Sequence, residues 1–196
     1  MPTSIAPITF VGLDVHQNSI SVALLRPGAQ LPDEDEIPNT PEAVRKLVRR
    51  WKDPAAVRVC YEAGPTGYGL QRTFATLGVD CAVIAPGLIP KRSGERIKTD
   101  RRDARKLAGL FRAGELTSIR IPPPEEEAVR DLIRAREDLS EDILRARHRL
   151  SKFLLRHDRV YRDGDRWTDR HLAWVRRQEF ETAGLAELVG HHLAIL

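Results

Sequence analysis

The chain has 196 residues, room for one full core and an appendage but not for two large domains. Hydrophobic residues make up 41% and charged residues 31%, too apolar for a mainly disordered chain. Net charge is +4, apolar runs stop at four or five residues and residues 1–13 lack the basic start of a secretion signal, so neither a membrane helix nor an export signal is read and a cytoplasmic protein is expected.

The run Ile8 to Val15 is rich in β-branched and apolar residues, and after the polar break at Gln17-Asn18 a second such run follows from Ser19 to Leu25. Two strands joined by a tight turn are predicted. Residues 26–40 hold several prolines around an acidic cluster, which fits a loop with a short edge strand near Glu36-Ile37. Thr40-Pro41-Glu42 opens a helix on which Val44, Leu47, Val48 and Trp51 share a face. Ala55 to Tyr61 reads as a strand, Gly64 to Gly78 encloses an amphipathic helix, and Val79 to Ala85 reads as a buried strand. The order implies an α/β fold with a mixed sheet, because the later strands are separated by crossover helices. Cys60 and Cys81 sit in separate apolar runs without zinc or disulfide spacing, in keeping with a reducing compartment.

Asp100 to Ala113 has helical periodicity and ends at Gly114. After Pro122-Pro123-Pro124, the acids Glu125 to Glu127 favour the first turn of a long helix reaching about His157. Its heptad seam runs through Val129, Arg136, Ile143, Leu150 and His157 at one position and Leu132, Leu139, Ala146 and Phe153 at the other. An antiparallel hairpin or an intermolecular coiled coil is expected, with a helix packed on its own domain as the alternative. Two shorter helical patterns, Leu172 to Arg177 and Leu185 to Leu196, close the chain. The domain division is therefore 1–121 for the α/β part and 122–196 for a helical dimerisation region.

The charge is unevenly spread. Residues 88–121 carry ten basic and four acidic side chains, and this stretch supplies the whole positive excess. Lys91, Arg92, Arg96, Lys98, Arg101, Arg102, Arg105 and Lys106 form a candidate phosphate-contacting run, and the lack of interleaved aromatic residues favours backbone contact over base stacking. Asp14 lies inside an apolar strand, where a charge needs a partner. Glu62 ends another such strand, and Asp100 and Asp103, three residues apart, share one helix face. Four converging carboxylates make an oxygen-rich site suited to Mg²⁺ or Mn²⁺ and to phosphodiester chemistry. Plainer roles exist for the same residues: Asp100 as a helix N-cap, Asp103 as a partner of Arg101 or Lys106, Glu62 as a solvated turn residue.

Three segments taken in order carry a resemblance. Val11-Gly12-Leu13-Asp14-Val15-His16, Tyr61-Glu62-Ala63-Gly64-Pro65-Thr66-Gly67 and Lys98-Thr99-Asp100-Arg101-Arg102-Asp103-Ala104 resemble the motifs of the DEDD transposases of bacterial insertion sequences, the insertion-sequence one-ten group. The resemblance implies a ribonuclease-H-like, RuvC-like catalytic domain in residues 1–121, with Asp14, Glu62, Asp100 and Asp103 as the catalytic, metal-binding tetrad. His16 and Thr66 match the pattern as well, and His16 fits equally a polar residue closing its strand. The implied function is DNA transposition by strand cleavage and exchange, with Mg²⁺ or Mn²⁺ as cofactor. The implied partners are DNA, an element-encoded non-coding guide RNA and further copies of the chain joined through the coiled-coil region. Family members carry a serine nucleophile in a further C-terminal transposase domain. None of the seven serines here sits in such a context, so strand exchange by residues 1–196 alone is not expected. Two other functions fit the same residues, a nucleic-acid-binding and dimerisation module with a degenerate site and a stand-alone structure-specific nuclease.

Overall fold

The computed structural model describes residues 7–90 and 100–196. The chain divides into two compact units, Met1–Ile121 and Pro122–Leu196. The first unit is α/β: β1 (Thr9–Val15), β2 (Ser19–Leu25), β3 (Asp33–Pro38), α1 (Pro41–Arg49), β4 (Val57–Glu62), α2 (Gly69–Thr76), β5 (Asp80–Ile84) and α3 (Asp100–Ala113). The five strands form one sheet in the order β3-β2-β1-β4-β5. The first three run antiparallel, as tight connections allow, while β1, β4 and β5 run parallel through helical crossovers. This mixed sheet flanked by helices is consistent with a ribonuclease-H-like fold.

Alternation along β1 separates the faces of the sheet. Val11 and Leu13 point with Ile20, Val22, Val59 and Tyr61 into a core closed by Val44 and Leu47 of α1 and Phe74 of α2. The opposite face is small: Gly12, Ala23 and Cys60 meet Ala104, Leu107 and Ala108 of α3. Covering on both sides explains why β1 reads as a nearly continuous apolar run. The exposed edge, β3, is charged, and Asp33 and Asp35 pair with Arg26 at 3.0 Å and Arg50 at 2.5 Å. Thr40 caps α1 by accepting from the Ala43 N–H at 3.2 Å.

The helix expected between Gly64 and Gly78 starts late, at Gly69. Residues 64–67 instead form a turn closed by the Gly67 N–H on the Gly64 carbonyl, and the Tyr61 hydroxyl donates to Gly67 O at 3.1 Å. Beyond α3, the Ile119 N–H donates to Val83 O at 2.8 Å, so the chain skirts β5 before entering the second unit.

That unit contains α4 (Pro124–Arg156), α5 (Asp169–Arg176) and α6 (Ala183–Ala194). Leu150, Phe153 and Leu154 near the end of α4 pack with Val175 and Val189 in a separate core. The earlier seam positions Val129, Leu132 and Leu139 are exposed, at 55%, 72% and 63%. The heptad seam is thus divided, its second half serving an intramolecular core. Among the described residues no helix is long and apolar enough to cross a membrane.

Candidate metal centre

The site begins with a missing side chain. A Cβ on Gly12 would stand 2.3 Å from the Ala104 carbonyl oxygen and 2.4 Å from the Ala108 nitrogen, so α3 lies against the bare backbone of β1. Asp14 is two residues further along the same strand and points to the same face. Asp100 and Asp103 belong to the first turn of α3, just before Ala104. Close approach at Gly12 therefore carries the start of the helix over the end of the strand.

His16 completes the arrangement. Its Nε2 lies 3.3 Å from Asp14 Oδ2 and 3.4 Å from Asp100 Oδ1, so one ring nitrogen faces two carboxylates from different elements. Because ionised carboxylates only accept, that nitrogen donates. The Asn39 amide donates to the His16 carbonyl at 2.7 Å, and the His16 N–H donates to Ser19 O at 2.9 Å, tying the β1–β2 turn in place. Burial pushes the Asp14 carboxyl above its ordinary range, and the charges of Asp100 and Asp103 push the same way against the opposing pull of His16. On the paired strand, Ser21 opposite Asp14 is buried.

Among the described residues, Asp14, His16 and Asp100 offer ligand atoms within 4.8 Å of one another. Opposite ligands of a Mg²⁺ ion lie about 4.2 Å apart, a separation of the same order. Asp103 is near enough to act electrostatically on Asp14 but stands outside that group. Glu62 also stands outside it, exposed at the end of β4 one residue beyond the Leu13–Tyr61 pair. Since β1 and β4 are parallel neighbours, Asp14 and Glu62 occupy equivalent positions at adjacent strand ends, about 5 Å apart at the backbone.

Of the basic run, Arg101, Arg102 and Arg105 are exposed on α3 and Lys106 is half-buried. The Arg105 guanidinium pairs with Glu34 of the edge strand, so its charge is already engaged. Lys91, Arg92, Arg96 and Lys98 lie outside the described residues. His16 is the residue that spacing leaves undecided. Its signal is the Asp14-x-His16 interval, which sets two side chains on one side of an extended chain.

Acids gathered where a strand end meets a helix over a mixed sheet are consistent with a ribonuclease-H-like α/β fold. The family model described as transposase, of the DEDD type in the IS110 group, matches residues 11–157. A Sinorhizobium fredii (strain NBRC 101917 / NGR234) protein named "Putative transposase y4qE" is 42% identical over 175 residues, covering 88% of this chain and 45% of the relative. The Leptospira borgpetersenii "Transposase for insertion sequence element IS1533" is 39% identical over 182 residues, covering 91% of this chain and 53% of the relative. This chain belongs to the DEDD transposase family. It spans about half the length of these curated relatives.

Proposed function

We propose that residues 1–121 are the metal-dependent, RuvC-like DNA-processing domain of an insertion-sequence transposase, acting in cleavage and exchange of DNA strands. The observation that carries this reading is the convergence of Asp14 and Asp100 on His16 Nε2 beneath α3. Asp14, Glu62, Asp100 and Asp103 are the residues that would hold Mg²⁺ or Mn²⁺, with Glu62 turning in from the adjacent strand end. A divalent ion bound there supplies charge stabilisation to a phosphodiester and acidity to an attacking or leaving oxygen. His16 positions the acids by donating to both, and Gly12 sets the distance between their elements. Arg101, Arg102 and Lys106 lie on the helix that carries Asp100 and Asp103, where contacts to phosphate oxygens would keep a strand in register with the acids.

The family's wider machinery extends the proposal to the whole protein. DNA is the substrate, an element-encoded RNA is a partner, and a serine nucleophile outside this centre completes rejoining. Residues 122–196 form the dimerisation region, with Leu132 and Leu139 of α4 as the surface offered to a second copy. The domain-level test is a thermal-shift titration of the chain with Mg²⁺ and Mn²⁺. Stabilisation that disappears in Asp14→Asn and weakens in Glu62→Gln is expected. An unchanged response in both variants would sink the assignment and leave a nucleic-acid-binding module with a degenerate site.

A further inference from the structure

Asn39 stands between two fixed elements. Pro38 before it ends β3 and pairs with Ser19 of β2, and Thr40 after it caps α1 by accepting from the Ala43 N–H. Val44, Leu47 and Val48 of α1 are buried in the core under the sheet, so the cap is tied to the strands through that core. From this position Asn39 makes two hydrogen bonds to the bend that joins β1 and β2. Its main-chain N–H donates to the Asn18 carbonyl at 3.0 Å, and its side-chain amide donates to the His16 carbonyl at 2.7 Å. The second bond spans 23 positions of sequence, so it closes no local turn. Only the NH₂ end of the amide can meet a carbonyl oxygen, which makes this side chain a donor.

The consequence falls on His16. The peptide before its Cα is held by its N–H donating to Ser19 O at 2.9 Å, and the peptide after it is held by Asn39. With both flanking peptides pinned, the side-chain torsions are what remain to aim the ring, and its Nε2 lies 3.3 Å from Asp14 Oδ2 and 3.4 Å from Asp100 Oδ1. The His16 side chain is 51% exposed, so packing alone does not keep it there.

We propose that Asn39 is a positioning residue of the metal centre: by fixing the His16 main chain it holds the ring against Asp14 and Asp100, and so keeps carboxylates of two distant elements facing one another before a cation arrives. The inference rests on the metal-centre reading above and adds to it a residue that touches no metal. A ligand set ordered in advance binds more tightly than one ordered on binding, because its conformational entropy is already lost at folding. A staple that served the fold alone would add stability and leave metal affinity unchanged.

Mn²⁺ affinity, read from the electron paramagnetic resonance of the free ion well below the melting temperature, separates these roles. Asn39→Ala and the isosteric Asn39→Asp, which both remove the donor, should each weaken binding about tenfold, the low end of the range for residues that orient ligands. Thr40→Ala removes the adjacent cap, and should lower the melting temperature while leaving the affinity at the wild-type value. Because Asn39 acts through the ring, Asn39→Ala introduced into His16→Ala should bring no further loss. Unchanged affinity in both Asn39 variants, a matching loss in Thr40→Ala, or losses that add in the double variant would each overturn the assignment and leave the metal centre in place. A wild type that binds no Mn²⁺ would instead remove the metal centre, and this inference with it.

Discussion

Asp14 is legible in the sequence because an acid inside Val11–Val15 is costly without a function or a partner, and the structure supplies both a histidine and two neighbouring acids. His16 is less legible, because a polar residue closing a strand is ordinary until the element opposite it is known. The raised Asp14 pKa has a direct consequence. A folded-state pKa above the unfolded one makes the carboxylate a cost that grows as pH rises through the unfolded value, and at neutral pH that cost is present in full. In chelator, Asp14→Asn is therefore expected to melt higher than wild type at pH 7, the two converging as acid protonates Asp14. A lower melting temperature for the variant at pH 7 would contradict this. His171 behaves oppositely in sign of charge. Burial first, and Arg166 second, lower its pKa, and its Nδ1 must stay unprotonated to accept from Trp167. Above its unfolded pKa of about 6.5 the ring is neutral in both states and adds no pH dependence. As pH falls below that value the unfolded chain gains the proton first, so stability is lost. His171→Gln, which keeps an acceptor that does not titrate, should show a smaller drop in melting temperature between pH 7.5 and about 5 than wild type.

At the scale of elements, apolar runs locate four of the strands, β3 is legible only as a short edge strand near Glu36-Ile37 where the structure has Asp33–Pro38, and the meeting of distant elements stays hidden. Gly12 reads as one residue of a strand motif, and nothing local says that α3, far later in the chain, lies across it. Gly12→Ala forces the helix away from the strand and should cost about 1–3 kcal/mol as overpacking, seen as a lower denaturant midpoint. Because α3 carries Asp100 and Asp103, the same variant should lose most of the metal-induced thermal shift. A variant of full stability and undiminished shift would mean that the close approach at Gly12 sets neither. The heptad pattern of α4 is real but ambiguous, since one apolar stripe can face a partner or its own unit. Phe153 and Leu150 take the second course and Leu132 and Leu139 neither, which leaves exposed apolar surface unusual for a monomer. Sedimentation of Leu132→Asp with Leu139→Asp should give a smaller species than wild type at equal concentration. A monomeric wild type at high concentration would remove the proposed dimer seam.

For the whole molecule, the distribution of charge along the chain separates a basic stretch from neutral surroundings, yet it does not tell which cations are already engaged by carboxylates. Arg105 illustrates the point, since Glu34 on a distant edge strand takes up its charge. Arg101 and Arg102 are exposed in the first turn of α3 beside Asp100 and Asp103, and that position puts the prediction on them. If acids hold the metal and α3 cations hold the phosphates, the two activities should separate by mutation. Arg101→Ala with Arg102→Ala should weaken binding to all DNA sequences alike, and the slope of log affinity against log salt should shallow by about one unit for each phosphate that is no longer neutralised. The metal-induced thermal shift should persist in that variant, because no ligand has been removed. Asp14→Asn should do the reverse, keeping the salt slope while abolishing the thermal shift and any metal-dependent nicking of branched DNA. The measurements are fluorescence anisotropy across a salt series and melting with and without Mn²⁺ on the same preparations. Loss of both properties in both variants would mean that nucleic acid and metal bind as one coupled unit, and the division of labour between α3 cations and strand-end acids would then be wrong.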